Sequence, residues 1–292
     1  MFIFILILLI NIIGLINCFN LLSNTINSIN TPIFNDLTIA GTSLTGTKII
    51  LDSMKEITYF QNNINYTRKG IHICAAPLFL STWQFYDSKY IASFVPLIAS
   101  FYLIKESKSI SKILSRTGDN GEIFNGPLIY TSLLTLITII FWKDNSIGMI
   151  SMIQLSIGDG FSDIIGRKYG KNKWFGEFSN KSIEGSLGFF ISSSFVSYLF
   201  LSMETCCFDS NYSLEEILLI SFICSLSEVF SKIDDNISIP LAALLSHYIL
   251  RFTFLINTFS FWFTLFIERL DWFTIWIYFL WSLQSKDIIC IV

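Results

Sequence analysis

Residues 146–167 read SIGMISMIQLSIGDGFSDIIGR: an uncharged run of thirteen residues, then two aspartates and an arginine. Similar apolar stretches recur at 71–86, 91–104, 127–142, 186–203, 215–230 and 239–250, with aromatic-rich runs at 252–267 and 272–283. Several are shorter than the ~20 residues a helix needs to cross a bilayer, so their boundaries are soft and neighbours can be broken or tilted. Composition points the same way. Of 292 residues, 52% are apolar and only 14% charged, with 29 Phe, 11 Tyr, 7 Trp and a mean hydropathy of +0.60. A typical soluble domain is about 25% charged. An ordinary soluble domain, a disordered chain and a coiled coil are thereby excluded. The expected fold is all-α, a polytopic integral membrane protein with about 6–8 transmembrane helices. The net charge of −3 gives no overall field to attract nucleic acid.

The amino terminus reads as targeting sequence. Residues 1–17 carry no charge, and Cys18-Phe19 is a candidate cleavage boundary, so 1–18 is a signal peptide or an anchor. Residues 19–66 are rich in Asn, Ser and Thr and read as a transit-like or flexible segment, within which 37–51 can hide a short membrane segment. Residues 67–250 form one membrane domain, and 251–292 an atypical aromatic-rich membrane segment.

If the runs pair as hairpins, one side of the membrane collects Arg68, Lys69, Lys105, Lys108, Lys112, Arg116, Arg167, Lys168, Lys171, Lys173, Lys181 and Lys232. The opposite connections through residue 230 hold Lys89 and Lys143. That asymmetry obeys the positive-inside rule.

The densest chemistry is Gly158 to Arg167. Asp159 and Asp163 stand at i and i+4 and share a face on a helix. Two carboxylates so placed can hold Mg²⁺, a hard cation that keeps waters and phosphates in its shell. Arg167, Lys168, Lys171 and Lys173 follow and suit a polyphosphate. The plain alternative is a helix ending in a charged loop. A second cluster, Asn180 to Ser186, puts Lys, Ser and Gly at a helix start, where unpaired N–H groups favour an anion; Ser182 serves equally as an N-cap. Weaker groups lie on the same side. Arg68 to His72 opens the first span, Ser115 to Asp119 sits in the long basic loop, Asp234 to Asn236 precedes Pro240, and Glu228 falls near the end of an apolar run. A basic membrane flank, a turn and an acidic loop are their respective plain readings. The six cysteines include no CxxC pair and read as small apolar residues, with vicinal Cys206-Cys207 as a weak redox candidate.

The segments RKGIH, SRTGDNGEIFNGPLIY, FWKDNSIGMISM, GDGFSDIIGRKYG, NKSIEGSLGFF and DDNISIPLA occur in the order found in phytol kinases. Over about residues 66–245 the chain resembles that family, part of a polyprenol kinase group related to dolichol kinases. The resemblance implies a membrane enzyme that phosphorylates an isoprenoid alcohol, phytol first among them, with CTP as donor and a divalent cation such as Mg²⁺. The implied place is a plastid membrane, in tocopherol and prenyl-lipid salvage, or the endoplasmic reticulum where there is no plastid.

Within the matched motifs we assign Asp159 and Asp163 to the metal. Arg68, Lys69, Arg116, Arg167, Lys181, Ser182, Glu184 and Asn236 go to the nucleotide phosphates, and His72, Asp119, Asp234 and Asp235 are the candidate catalytic groups. The rivals are a dolichol or farnesol kinase, a phosphatidate cytidylyltransferase-like enzyme, and a transporter or inactive scaffold. A transporter places its polar residues at the midplane, whereas here they gather at one face.

Overall fold

The structure is a computed structural model. It describes residues 32–61, 64–105, 126–143, 145–174, 181–202, 212–231 and 233–268. The described residues form helices α1 (Pro32–Gln61), α2 (Ile64–Thr82), α3 (Lys89–Lys105), α4 (Pro127–Phe141) and α5 (Ser146–Ile153), then α6 (Asp159–Tyr169), α7 (Ile183–Ser202), α8 (Leu214–Phe230) and α9 (Asp235–Glu268). An isolated bridge joins Lys173 to Ser182, and the described residues contain no strand. The described residues are all-α, as the recurring apolar runs lead one to expect.

The run that opens the sequence argument becomes the central element. Asn145 caps its start, accepting from the Ile147 amide at 3.0 Å. From α5 the chain passes through one π turn, Gln154–Gly158, directly into α6. Within that turn the Asp159 amide donates to the Gln154 carbonyl. Every residue from Ser146 to Ser162 is buried. A helix apolar all round must be covered on all sides. On one side Met149, Met152 and Ile153 join a core with Phe79 near the end of α2, Trp83 in the 3-10 turn just past it, Val95 of α3 and Leu134 of α4. On the other, Ile147 and Ile150 pack with Phe189 of α7, Ile220 of α8 and Ile239 of α9.

Close approach at the far end of this rod needs glycine. A Cβ on Gly160 would lie 2.3 Å from Ile73 Cγ1 of α2. Overpacking of this kind costs about 1–3 kcal/mol. Gly160→Ala is therefore expected to lower the melting temperature of the detergent-purified protein; an unchanged melt would mean that Ile73 moves aside freely.

The structure differs from the loop-like reading of 19–66, because Pro32–Gln61 is one helix. Its Ser and Thr hydroxyls fold back onto the preceding turn, as in Ser43 to the Ile39 carbonyl at 2.8 Å, which removes their competition with the backbone. Buried Asp36 ties α1 to the rest by accepting from the amides of Asp87 and Ser88, each at 2.9 Å. The division drawn at 250 also falls inside a helix, since α9 runs unbroken to Glu268. The leader at 1–18 and the segment after 268 lie outside the described residues.

Among the described residues, α7 is the one helix long and apolar enough to cross a membrane; α4 is apolar but shorter. The helices place their polar groups inward. Leu187, Ile191, Phe195 and Tyr198 of α7 are exposed, whereas Ser193 and Ser197 are buried. Gln154 donates to Ser221 Oγ at 2.8 Å in the interior, while Leu241, Leu245, Tyr248 and Ile249 of α9 face outward.

Candidate functional site

Asp159 stands one residue past the apolar run, where α6 begins. Lys69 on α2 reaches it, Nζ to Oδ2 at 2.6 Å, and both side chains are buried. One turn later Ser162 donates to both carboxylate oxygens of Glu228 on α8, at 2.8 and 2.7 Å. Lys181, just ahead of α7, joins Glu228 at 2.6 Å and Asp235 of α9 at 2.9 Å. The carboxylates of Asp159, Glu228 and Asp235 offer oxygens that all lie within 4.8 Å of one another. Three acids and two ammonium groups from five separate parts of the chain thus meet at one end of the central rod.

Burial and charge oppose each other here. Burial alone would raise the Asp159 carboxyl, but Lys69 and then Lys181 outweigh it and hold it down to about 2. Burial likewise disfavours the charge on Lys181, yet Glu228 and Asp235 push its amine above the ordinary lysine range. Asp159 and Lys181 are therefore both charged at neutral pH.

Asp163 does not join this group. Its carboxylate accepts from Arg167 Nε at 2.9 Å, an i,i+4 pair near the surface. Asp159, Glu228 and Asp235 together could hold a hard divalent cation such as Mg²⁺, which takes oxygen ligands, and Asp163 is not among them. Glu228 is the residue to which the sequence reading gave no role. Its signal was an acid inside an apolar run, which is expensive unless paired.

The remaining candidates hold local structure. Ser182 caps α7, accepting from the Gly185 amide at 3.1 Å. A Cβ on Gly185 would meet the Ser162 carbonyl at 2.9 Å, so glycine lets α7 approach α6 and brings Lys181 to Glu228. Glu184 accepts from the Asn172 amide and side chain at 3.1 and 3.0 Å. Asp234 accepts from the Asn236 amide at 2.9 Å and side chain at 2.7 Å, an exposed turn at the start of α9. Arg68 is half-buried beside Lys69 on α2. His72, one turn beyond Lys69, is buried with its ring 4.2 Å from that of Tyr130, and its Nδ1 has no hydrogen-bond partner among the described residues. Arg116 and Asp119 lie outside the described residues.

The chain is similar to a probable chloroplastic phytol kinase 1 of Oryza sativa, 34% identical over 206 residues that cover 64% of each chain. It is similar to a probable chloroplastic phytol kinase of Zea mays, 30% identical over 223 residues, 69% of this chain and 71% of the relative. A chloroplastic farnesol kinase of Arabidopsis thaliana is 32% identical over 200 residues, 63% of this chain and 64% of the relative. No family model and no solved structure matches. The chain belongs to the phytol kinase family. It spans slightly less than two thirds of the length of the rice relative.

Proposed function

We propose that this chain transfers the terminal phosphate of a nucleotide, CTP by family resemblance, to the hydroxyl of an isoprenoid alcohol, phytol foremost. The observation that carries the reading is the buried cluster of Asp159, Glu228 and Asp235 with Lys69 and Lys181 at the end of an apolar rod. A divalent cation held by the three acids would neutralise phosphate oxygens. Lys69 and Lys181 are the cations within reach of a polyphosphate, and the amides that open α7 add fixed positive dipoles. The alcohol oxygen forms a bond to the γ-phosphorus as the bond to the β-phosphate oxygen breaks, and the diphosphate leaves. The alcohol proton passes to a base late in the transfer. His72, whose Nδ1 is buried and unpartnered among the described residues, is our first choice, ahead of Asp119, Asp234 and Asp235. The barrier falls through positioning and charge stabilisation.

The reading includes a polytopic membrane protein. Outward apolar faces on α7 and α9, inward serines, and the basic side defined by Lys69, Arg167 and Lys181 support it. At the other end Lys143 donates to the Tyr86 carbonyl at 2.6 Å, and Lys89 lies over the Tyr90 ring. Plastid residence follows the names of the relatives, and prenyl-lipid salvage follows from the product. Farnesol is the second alcohol to consider, because one relative is named for it.

The test is labelled γ-phosphate transfer by the full chain in membranes. Phytol, geranylgeraniol, farnesol and dolichol are offered, each with CTP and with ATP. A labelled prenyl monophosphate and a nucleoside diphosphate are expected. Release of pyrophosphate instead would make the chain a cytidylyltransferase.

A further inference from the structure

A cavity of about 270 Å³ lies between α1, α2, α3 and α4. Its wall surface is almost wholly apolar, with Leu44, Leu51, Ile71, Ile98 and Leu103 among the lining residues beside Thr47 and Lys48. His72 and Tyr130 contribute as well, and Tyr130 is fixed by donating its hydroxyl to the His72 carbonyl at 3.2 Å. Ile98 and Tyr102 of α3 and Lys48 of α1, all lining residues, are themselves exposed, so the cavity reaches the surface beside them. Dry apolar cavities bind apolar ligands. This one joins two unlike features: an apolar chamber, and a buried imidazole one helical turn from the Lys69–Asp159 pair.

We infer that this chamber holds the hydroxyl-proximal isoprene units of the alcohol, with the rest of the tail leaving past Ile98 and Tyr102. Two observations select this occupant. The chamber lies just below the ~300–1,000 Å³ usual for drug-sized ligands, so it takes part of a long chain and not the whole. His72 Nδ1 lacks a hydrogen-bond partner among the described residues although the residue is buried, and a ligand hydroxyl would supply one. The inference rests on the kinase reading for the alcohol's identity, and on the chamber alone for the presence of a prenyl chain.

The test uses the full chain in membranes and a geranylgeraniol carrying a photoreactive diazirine near its hydroxyl end. Crosslinks are expected in 71–75 and 98–103, suppressed by excess phytol, with little labelling there by a straight-chain alkyl diazirine. Crosslinks elsewhere, or equal labelling by the straight chain, overturn the inference. A second arm uses Ala99→Phe, which narrows the chamber. The KM for the alcohol is expected to rise at least tenfold while the KM for the nucleotide stays unchanged; an unchanged alcohol KM in the folded variant also overturns it. If the variant does not fold, wild-type labelling decides. Labelling of the chamber by a protein that phosphorylates no alcohol removes the kinase reading and keeps the site. Kinase activity with crosslinks elsewhere does the reverse.

Discussion

Lys69→Met unfolds the protein at markedly lower temperature, and adding Asp159→Asn restores most of the loss: this is the expected result of a two-step variant series. Methionine keeps nearly the length and volume of lysine, so little packing is lost. What is lost is the partner of a carboxylate whose side chain is only 4% exposed. Removing one member of a buried ion pair costs about 3–5 kcal/mol, because the other charge stays behind uncompensated. Asn at 159 removes that stranded charge, so the double variant melts close to the parent. Activity follows the opposite logic: both single variants and the double variant lack turnover, because the reaction needs the charges that stability does not. Melts in detergent and labelled phosphate transfer read the two effects separately. A Lys69→Met protein as stable as the parent would show that Lys181 alone compensates Asp159, and parental turnover in it would remove Lys69 from the site.

Glu228→Gln is the second large effect, and it acts on turnover. Gln keeps the shape and an acceptor for Ser162, and Lys181 keeps Asp235 as a partner. The fold is therefore expected to survive. The cluster, however, loses one of its three carboxyl groups at the point where the acids converge. A fall in kcat of about a hundredfold or more is expected, the scale of losing one preorganised electrostatic partner, with a higher Mg²⁺ concentration needed for half-maximal rate. Ser162→Ala is the control, since it removes one hydrogen bond and no charge, a stability change of about 1 kcal/mol. Parental kcat in a folded Glu228→Gln protein would take Glu228 out of the proposed chemistry.

Much of this arrangement was legible in the chain. The apolar run at 146–158 ending in Asp159 marked both the central helix and the place where charge begins. Ser182 as a cap and the basic residues around it are local features, and local features survive folding. The i,i+4 rule also works for Asp163, but its partner proved to be Arg167, a more favourable neighbour than a second carboxylate. What no local spacing reveals is convergence. Asp159, Glu228 and Asp235 meet because α6 and α9 begin where α8 ends, and Lys181 is brought in by the glycine contact between α6 and α7. Helix α1 was legible only as the possible short membrane segment at 37–51, because Asn, Ser and Thr are poor helix formers on their own, and tertiary packing overrides that preference.

The π turn before Asp159 has a consequence for how length changes act on this chain. A π turn closes its hydrogen bond one residue later than an α turn, so it stores one surplus residue. Elsewhere in the rod, deleting a residue would swing everything beyond it by about 100° and carry Asp159 away from Lys69. A deletion between Gln154 and Gly158 would instead convert the wide turn to an ordinary one and leave the bearing of Asp159 unchanged. The molecule thus tolerates a one-residue slip at a single place on its axis, immediately below the residue whose direction matters most.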